Sequence, residues 1–368
     1  MLTVVDALEI GGVASHLTSS LGRIGRSRYD LRVANLGGHT RLSDQLRAMK
    51  VLVYDLGIVG PFALPRRVLA LRKLIRHVKV DLVHSYGHAG PVARLAAGRV
   101  PVVSTLPEPN GGAAGLALRL RSLLERKTAA RSSRLLVPSE EMKRHYAAAW
   151  GVSVEILPNF LDVPEFRARV AAIPRAQART RLGVGADEVM LLYMGRGQAG
   201  KGLEVLLEAF RIAHIEHPPL RRFLTGHDPT LIEARALAES LGLGDALVFL
   251  GVVDDVAPLY AAADLFLLPS HREGWSMALL EAMAAGLPTV ATAAGAIPEL
   301  ASEATAILVE TDRPEALARG ILKLATAPRV RSSLGAGAAA KARELDVAVW
   351  APKLEALYAD LIRSAGSA

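Results

Sequence analysis

Cysteine is absent from the 368 residues, which removes disulfide frameworks, thiolate metal sites and cysteine nucleophiles together. Aromatic side chains are few, at 3 Trp, 7 Tyr and 7 Phe. Hardly any fall within the basic stretches, so a base-stacking nucleic-acid surface is not expected. No apolar run approaches the roughly 18 residues that would span a bilayer. The opening segment lacks a basic leader and carries Asp6 and Glu9 inside its first apolar stretch. It reads as a folded strand rather than a secretion signal, so a cytoplasmic chain is expected. Short repeats and low-complexity tracts are also missing. The composition, 51% hydrophobic and 22% charged, is globular, and the length suits about two domains.

Acidic charge is scarce in one half only. Residues 1–165 hold 23 Lys and Arg against 13 Asp and Glu, whereas residues 166–368 hold 21 against 23. A net +10 on the first half suggests an anionic partner such as a phosphorylated substrate or membrane headgroups, or else a solubilising face. Plotted at helical pitch, Arg66–Lys79 places Val68, Leu71, Leu74, Ile75 and Val78 on one side. Arg66, Arg72, Lys73, Arg76 and Lys79 fall on the other. Such a helix packs on a core or lies against anionic lipid.

Short apolar runs alternate with amphipathic ones. Strands are expected at Leu2–Asp6, Leu31–Ala34, Leu52–Tyr54, Leu82–His84, Val100–Ser104 and Arg134–Val137. In the second half they are expected at Val189–Met194, Arg222–Thr225, Ala246–Leu250, Asp264–Leu268, Thr289–Thr292 and Ala306–Val309. This rhythm predicts an α/β fold of two Rossmann-like halves with parallel sheets buried by helices, facing a cleft. Domains are expected at 1–165 and 166–346. A last helix over 347–368, with Trp350, Leu354, Leu357, Tyr358 and Leu361 in register, is expected to pack back on the first domain.

Three segments carry chemistry. Gly11 and Gly12 follow the first strand and open a helix, where glycine admits a close ligand and the helix start favours an anion; a tight turn explains them equally. Gly195–Gly202 is a glycine-rich loop with Arg196 and Lys201, placed between a strand and a helix. It nearly matches a phosphate-binding loop of nucleotide hydrolases, but Gly202 stands where magnesium's Ser or Thr ligand belongs. The two cations are better read as gripping a diphosphate directly. The third segment runs from a strand through Glu273 and Gly274 into a helix near Met277. Its first amides, around Met277, Ala278 and Leu279, suit a phosphate, and Glu281 suits ribose hydroxyls.

These blocks resemble the retaining glycosyltransferases of family 4, which have the GT-B fold. The resemblance rests on Gly11–Val13; on Gly195 and Arg196 with Lys201 and Gly202; on Glu273 and Gly274 with Leu279–Ala284; and on Gly295 with Ile297–Glu299. Leu157–Asn159, and Asp255 with Tyr260–Asp264, also fit. It implies transfer of a sugar from a UDP- or GDP-linked donor to an acceptor hydroxyl, with retention and without a metal or other cofactor. It further implies that Arg196 and Lys201 hold the diphosphate, Glu273 the donor sugar and Glu281 the ribose. The fold places the acceptor on the first domain, and the positive charge there with the basic face of Arg66–Lys79 suggests one that is lipid-linked or presented at an anionic membrane face. Pro107 stands where the family has a sugar-contacting histidine, leaving His84, His88, Glu108 and Asn110 as candidate sugar or acceptor contacts. Rival readings are a nucleotide-sugar epimerase on the same fold and a phosphate-loop hydrolase.

Overall fold

The computed structural model describes the whole chain except residues 9–10, 26–27, 61–62, 110–115, 196–199, 218, 226–229 and 367–368. The chain divides into two compact units, Met1–Phe160 with Val347–Ala368, and Leu161–Asp346.

In the first unit the order is β1 (Leu2–Val5), α1 (Gly12–Arg23), β2 (Arg32–Asn35), α2 (Arg41–Ala48), β3 (Leu52–Asp55) and α3 (Ala63–Val78). There follow β4 (Val83–Tyr86), α4 (Gly90–Ala96), β5 (Val102–Thr105), α5 (Leu116–Ala129), β6 (Arg134–Val137), α6 (Glu140–Trp150) and β7 (Glu155–Ile156). The strands form one parallel sheet in the order β3-β2-β1-β4-β5-β6-β7. The side-chain period of two sorts its residues between two cores. Leu2, Val4 and Ala34 pack with Leu71, Ile75, Val92 and Ala96 of α3 and α4. Val5 and Val33 pack on the other face with Leu17, Leu21 and Leu46 of α1 and α2.

The second unit begins with α7 (Val163–Ala171) and α8 (Arg175–Arg181), then β8 (Val189–Met194), α9 (Leu203–Glu216), β9 (Leu220–Thr225), α10 (Thr230–Ser240), β10 (Leu247–Gly251) and α11 (Ala257–Ala262). It continues through β11 (Leu265–Leu268), α12 (Met277–Ala284), β12 (Thr289–Thr292), α13 (Ile297–Leu300), β13 (Ala306–Val309), α14 (Pro314–Thr326) and α15 (Pro328–Ala342). Its parallel sheet runs β10-β9-β8-β11-β12-β13. Met190, Leu192, Phe266 and Leu268 face one core and Leu191, Tyr193, Leu265 and Leu267 the other. Both faces are apolar, so these strands read as unbroken hydrophobic runs rather than alternating ones.

The chain then returns to the first unit as α16 (Val347–Gly366). Leu354, Tyr358 and Leu361 join the core beside α1, as their spacing requires. The division falls at Phe160/Leu161, five residues before the expected 165/166. Asp162 caps α7 through the Glu165 amide at 3.2 Å, the Val163 amide donates to Asp346 at 2.9 Å, and Val163 and Phe166 sink into the second unit's core. The short edge strand β7 was not expected: two residues are too few to carry a pattern.

Strand order reverses between β1 and β4 in one sheet and between β8 and β11 in the other. Outside the carboxyl ends at such points, parallel sheets of this kind bind their ligands.

Candidate functional site

In the second unit, β8 delivers Lys201 and β11 delivers Glu273. Lys201 Nζ donates to Glu273 Oε2 at 2.9 Å, with side chains only 17% and 8% exposed. The Ser270 hydroxyl donates to the same oxygen at 3.0 Å. The turn after β11 is fixed from two sides. The His271 amide donates to the Gly200 carbonyl at 2.9 Å, and the Ala296 amide to the Glu273 carbonyl at 2.8 Å.

Two glycines allow this closeness. Gly202 has φ +62°, and any side chain there would run into the Pro269 carbonyl oxygen. Gly295 has φ +53°, and a side chain would overlap the Glu273 carbonyl. Gly202 therefore cannot carry the hydroxyl that a magnesium-dependent phosphate loop needs, because the β11 turn occupies that space.

Glu281 lies in the second turn of α12, only 9% exposed on a helix that is otherwise apolar. The Tyr260 hydroxyl reaches its Oε2 at 3.0 Å and the Ala278 carbonyl at 3.1 Å. At the start of α12 the Ser276 hydroxyl accepts from the Leu279 amide at 3.2 Å. Of the three amides expected to face a phosphate, Leu279's is thus spent on the helix's own cap; Met277 and Ala278 supply the first-turn amides. Gly274 is buried in the loop between Glu273 and the cap. Arg196 and Asn110 lie outside the described residues.

His271 is bonded to Glu204 through Nε2 at 2.8 Å and to Asp312 through Nδ1 at 2.9 Å. Partial burial works against its charged form, but the bonds and charges of the two carboxylates outweigh it and raise its pKa. Sequence reading gave no role to this residue or to Ser270, and took Tyr260 only as part of a matching block. Glu204 and Asp312 are distant in sequence, and nothing local marks them as partners.

In the first unit Gly11 precedes α1 with φ +154°, and a methyl group there would meet nothing within 4 Å. Glycine serves the backbone there, not a close neighbour. Gly12 is the first residue of α1. His84 corrects an expectation: it is fully buried, with Nδ1 2.6 Å from the Tyr358 hydroxyl and Nε2 2.9 Å from Thr105 Oγ1. A ligand has no access to it. Burial, with the nearby His16 as a smaller cause, lowers its pKa to about 3. His88 and Glu108 do come together, lining one small cleft with Arg121, Glu125, His145 and Tyr146. Glu125 is paired with Arg94 at 2.8 Å, both essentially buried. Pro107 presents its carbonyl to the Tyr146 hydroxyl at 2.6 Å. At the carboxyl end of β1, Asp6 is bound by Arg67 and Arg121, each at 2.7 Å. On α3, Arg66, Lys73 and Arg76 are exposed, with Leu69 among them at 60%, and Lys79 is exposed in the turn that follows. Arg72 does not belong to that face: it turns inward and donates to the Leu95 carbonyl at 2.7 Å.

Residues 10–165 match the model of Glycosyltransferase Family 4, and residues 174–341 that of Glycosyl transferases group 1. The D-inositol 3-phosphate glycosyltransferase of Saccharomonospora viridis is 33% identical over 323 residues, 78% of this chain and 71% of that protein. The chain belongs to glycosyltransferase family 4. The D-inositol 3-phosphate glycosyltransferase of Actinosynnema mirum is 31% identical over 334 residues, covering 78% of this chain and 77% of the relative. Among solved structures, Anabaena Alr3699/HepE in complex with UDP and glucose superposes with TM-score 0.83 at 20% identity, covering 97% and 99% of the two chains. WaaG, a glycosyltransferase of lipopolysaccharide biosynthesis, gives 0.74 at 20% identity over 96% and 98%. The fold of this family 4 glycosyltransferase is thus GT-B, and its reaction class is sugar transfer.

Proposed function

We propose that this glycosyltransferase is retaining and metal-independent, and binds its nucleoside-diphosphate sugar on the second unit. The observation that carries the reading is the Lys201–Glu273 pair in the loops that follow β8 and β11, with Glu281 buried on the helix that comes next. The Lys201–Glu273 pair leaves a cation and a carboxylate where a diphosphate and a sugar would meet. A diphosphate can exchange for Glu273 at Lys201, freeing Glu273 for sugar hydroxyls. Lys201, with Arg196 as the resemblance implies, would stabilise the charge that grows on the departing diphosphate. The bond from the anomeric carbon to the phosphate oxygen breaks, the acceptor oxygen bonds on the same face, and its proton passes to the leaving phosphate oxygen. No protein nucleophile is needed. Anabaena HepE was solved with UDP-glucose, so uridine donors head the list to try. Thermal-shift assays with UDP, GDP, ADP and their sugars test the reading. Transfer that survives EDTA supports metal independence; loss that magnesium restores contradicts it. Donor turnover without any acceptor would favour the epimerase reading.

The acceptor is proposed to be lipid-linked or presented at an anionic membrane face on the first unit. Leu69 set among Arg66, Lys73 and Arg76 supports this, since each basic residue near anionic lipid contributes about 1 kcal/mol. Among the described residues no helix is long and apolar enough to cross a membrane. Co-sedimentation with anionic and zwitterionic vesicles, using wild type and Arg66/Lys73/Arg76→Glu, tests it. Binding confined to anionic vesicles, and lost in the variant, is expected.

A second reading, a small phosphorylated acceptor, is favoured by the two guanidinium groups on Asp6 and by the substrate in the relatives' name. Absence of vesicle binding would select it.

A further inference from the structure

We infer that Tyr260 is a positioning residue for recognition of the donor's ribose, holding the Glu281 carboxylate in the orientation that accepts the sugar's hydroxyls. The inference rests on the proposed role of Glu281. A carboxylate buried on an apolar helix is costly unless hydrogen-bonded, and its torsions are free unless something fixes them. Tyr260 contributes to both. Its ring is 2% exposed and packs edge-on against Phe166 at 5.4 Å, with Phe266 at 6.3 Å. Its hydroxyl is therefore held where it meets Glu281 Oε2 at 3.0 Å.

The same hydroxyl lies 3.1 Å from the Ala278 carbonyl, one turn earlier on α12. Tyr260 thus registers α11 against both the helix backbone and its carboxylate. Burial, with the charge of Glu281, pushes the phenol's pKa well above its ordinary value. It stays a donor at working pH and does not shuttle protons. A carboxylate with one oxygen pinned presents a fixed plane to a vicinal diol. An unpinned one must be ordered at each binding event, which costs affinity for the ribose alone.

The distinguishing readout is discrimination between ribose and deoxyribose. Calorimetry with UDP, 2′-deoxy-UDP and 3′-deoxy-UDP, or the guanosine set if GDP binds better, gives that ratio for each variant. Wild type is expected to prefer the ribonucleotide by about tenfold or more, and Glu281→Gln to lose most of the preference. In Tyr260→Phe, which keeps the ring and removes the hydroxyl, the ratio should fall at least about threefold. Affinity for the deoxynucleotides should be nearly unchanged. A Tyr260→Phe ratio equal to wild type, with Glu281→Gln collapsed, overturns the role of Tyr260 and leaves the ribose contact standing. An undiminished ratio in Glu281→Gln overturns the ribose contact itself, and this inference with it. Should Tyr260→Phe fail to fold, Phe166→Leu loosens the same ring without touching Glu281. It must then show the intermediate ratio, and a wild-type ratio there overturns the inference.

Discussion

Both sheets end in loops that carry charge, yet the two units use that charge in opposite ways. In the second unit Lys201 and Glu273 meet at a loop junction with part of each still open to solvent. Backbone bonds and two left-handed glycines hold them there, and none of these needs a charged partner. In the first unit several charged and titratable groups are consumed by the fold. Arg94 and Glu125 are buried against each other, and His16 and His84 sit in the core under α16. His16 Nδ1 accepts the Phe160 amide at 3.2 Å, and His84 meets Tyr358. The Lys201–Glu273 pair, where the donor is proposed to bind, is kept by loops; the buried groups of the first unit are kept by side chains far away in sequence.

The largest effect should come from breaking the first unit's buried pair. Glu125→Leu leaves Arg94 without a counter-charge and is expected to cost about 3–5 kcal/mol in urea denaturation. Arg94→Met/Glu125→Leu should recover most of that. Donor affinity should not change in either; a parallel loss would erase the contrast between the units.

Acid should act next. Burial lowers His16 to about 4 and His84 to about 3, against an ordinary 6.5. With folded values depressed, both histidines favour the fold fully above pH 6.5, and the stabilisation is lost as pH falls toward about 4 and then 3. His16 alone accounts for roughly 3 kcal/mol of that loss. Denaturation midpoints for wild type and His16→Gln should converge on acidification; a constant gap would contradict this.

Gly202→Ser would complete a phosphate-loop motif on paper. It should instead push the β11 turn away and weaken nucleotide binding by more than about tenfold, with magnesium giving no rescue. The smallest effect concerns His271, which needs its proton to donate to both Glu204 and Asp312. With its pKa raised, that double bond holds below the folded pKa and is lost as pH rises through it. Because both carboxylates are mostly exposed, donor affinity should fall by no more than about threefold. His271→Gln should flatten the dependence.

Legibility follows the same division. Lys201, Glu273 and Glu281 lie within short motifs whose spacing reports strand, loop and helix, so their places in the fold could be read directly. Twelve strands were equally open, because buried parallel strands are plain apolar runs. His84 misled because the expected strand stopped at it, whereas β4 runs on to Tyr86 and keeps it inside the sheet. Whether it faces a ligand or the core is decided by its partners, Thr105 on β5 and Tyr358, 274 residues away. Arg72 misled for a related reason: ideal helical pitch put it on the outer face, while the Leu95 carbonyl drew it inward. Tyr260 was visible as a motif member, but its hydroxyl's partner on another helix was not.

Calorimetric titration of UDP and GDP into wild type, Lys201→Ala and Asp6→Asn tests most directly whether the second unit alone holds the donor. Lys201→Ala should bind about ten- to hundredfold more weakly while remaining folded, and Asp6→Asn should match wild type. Unchanged affinity in Lys201→Ala, or an equal loss in Asp6→Asn, would contradict the account.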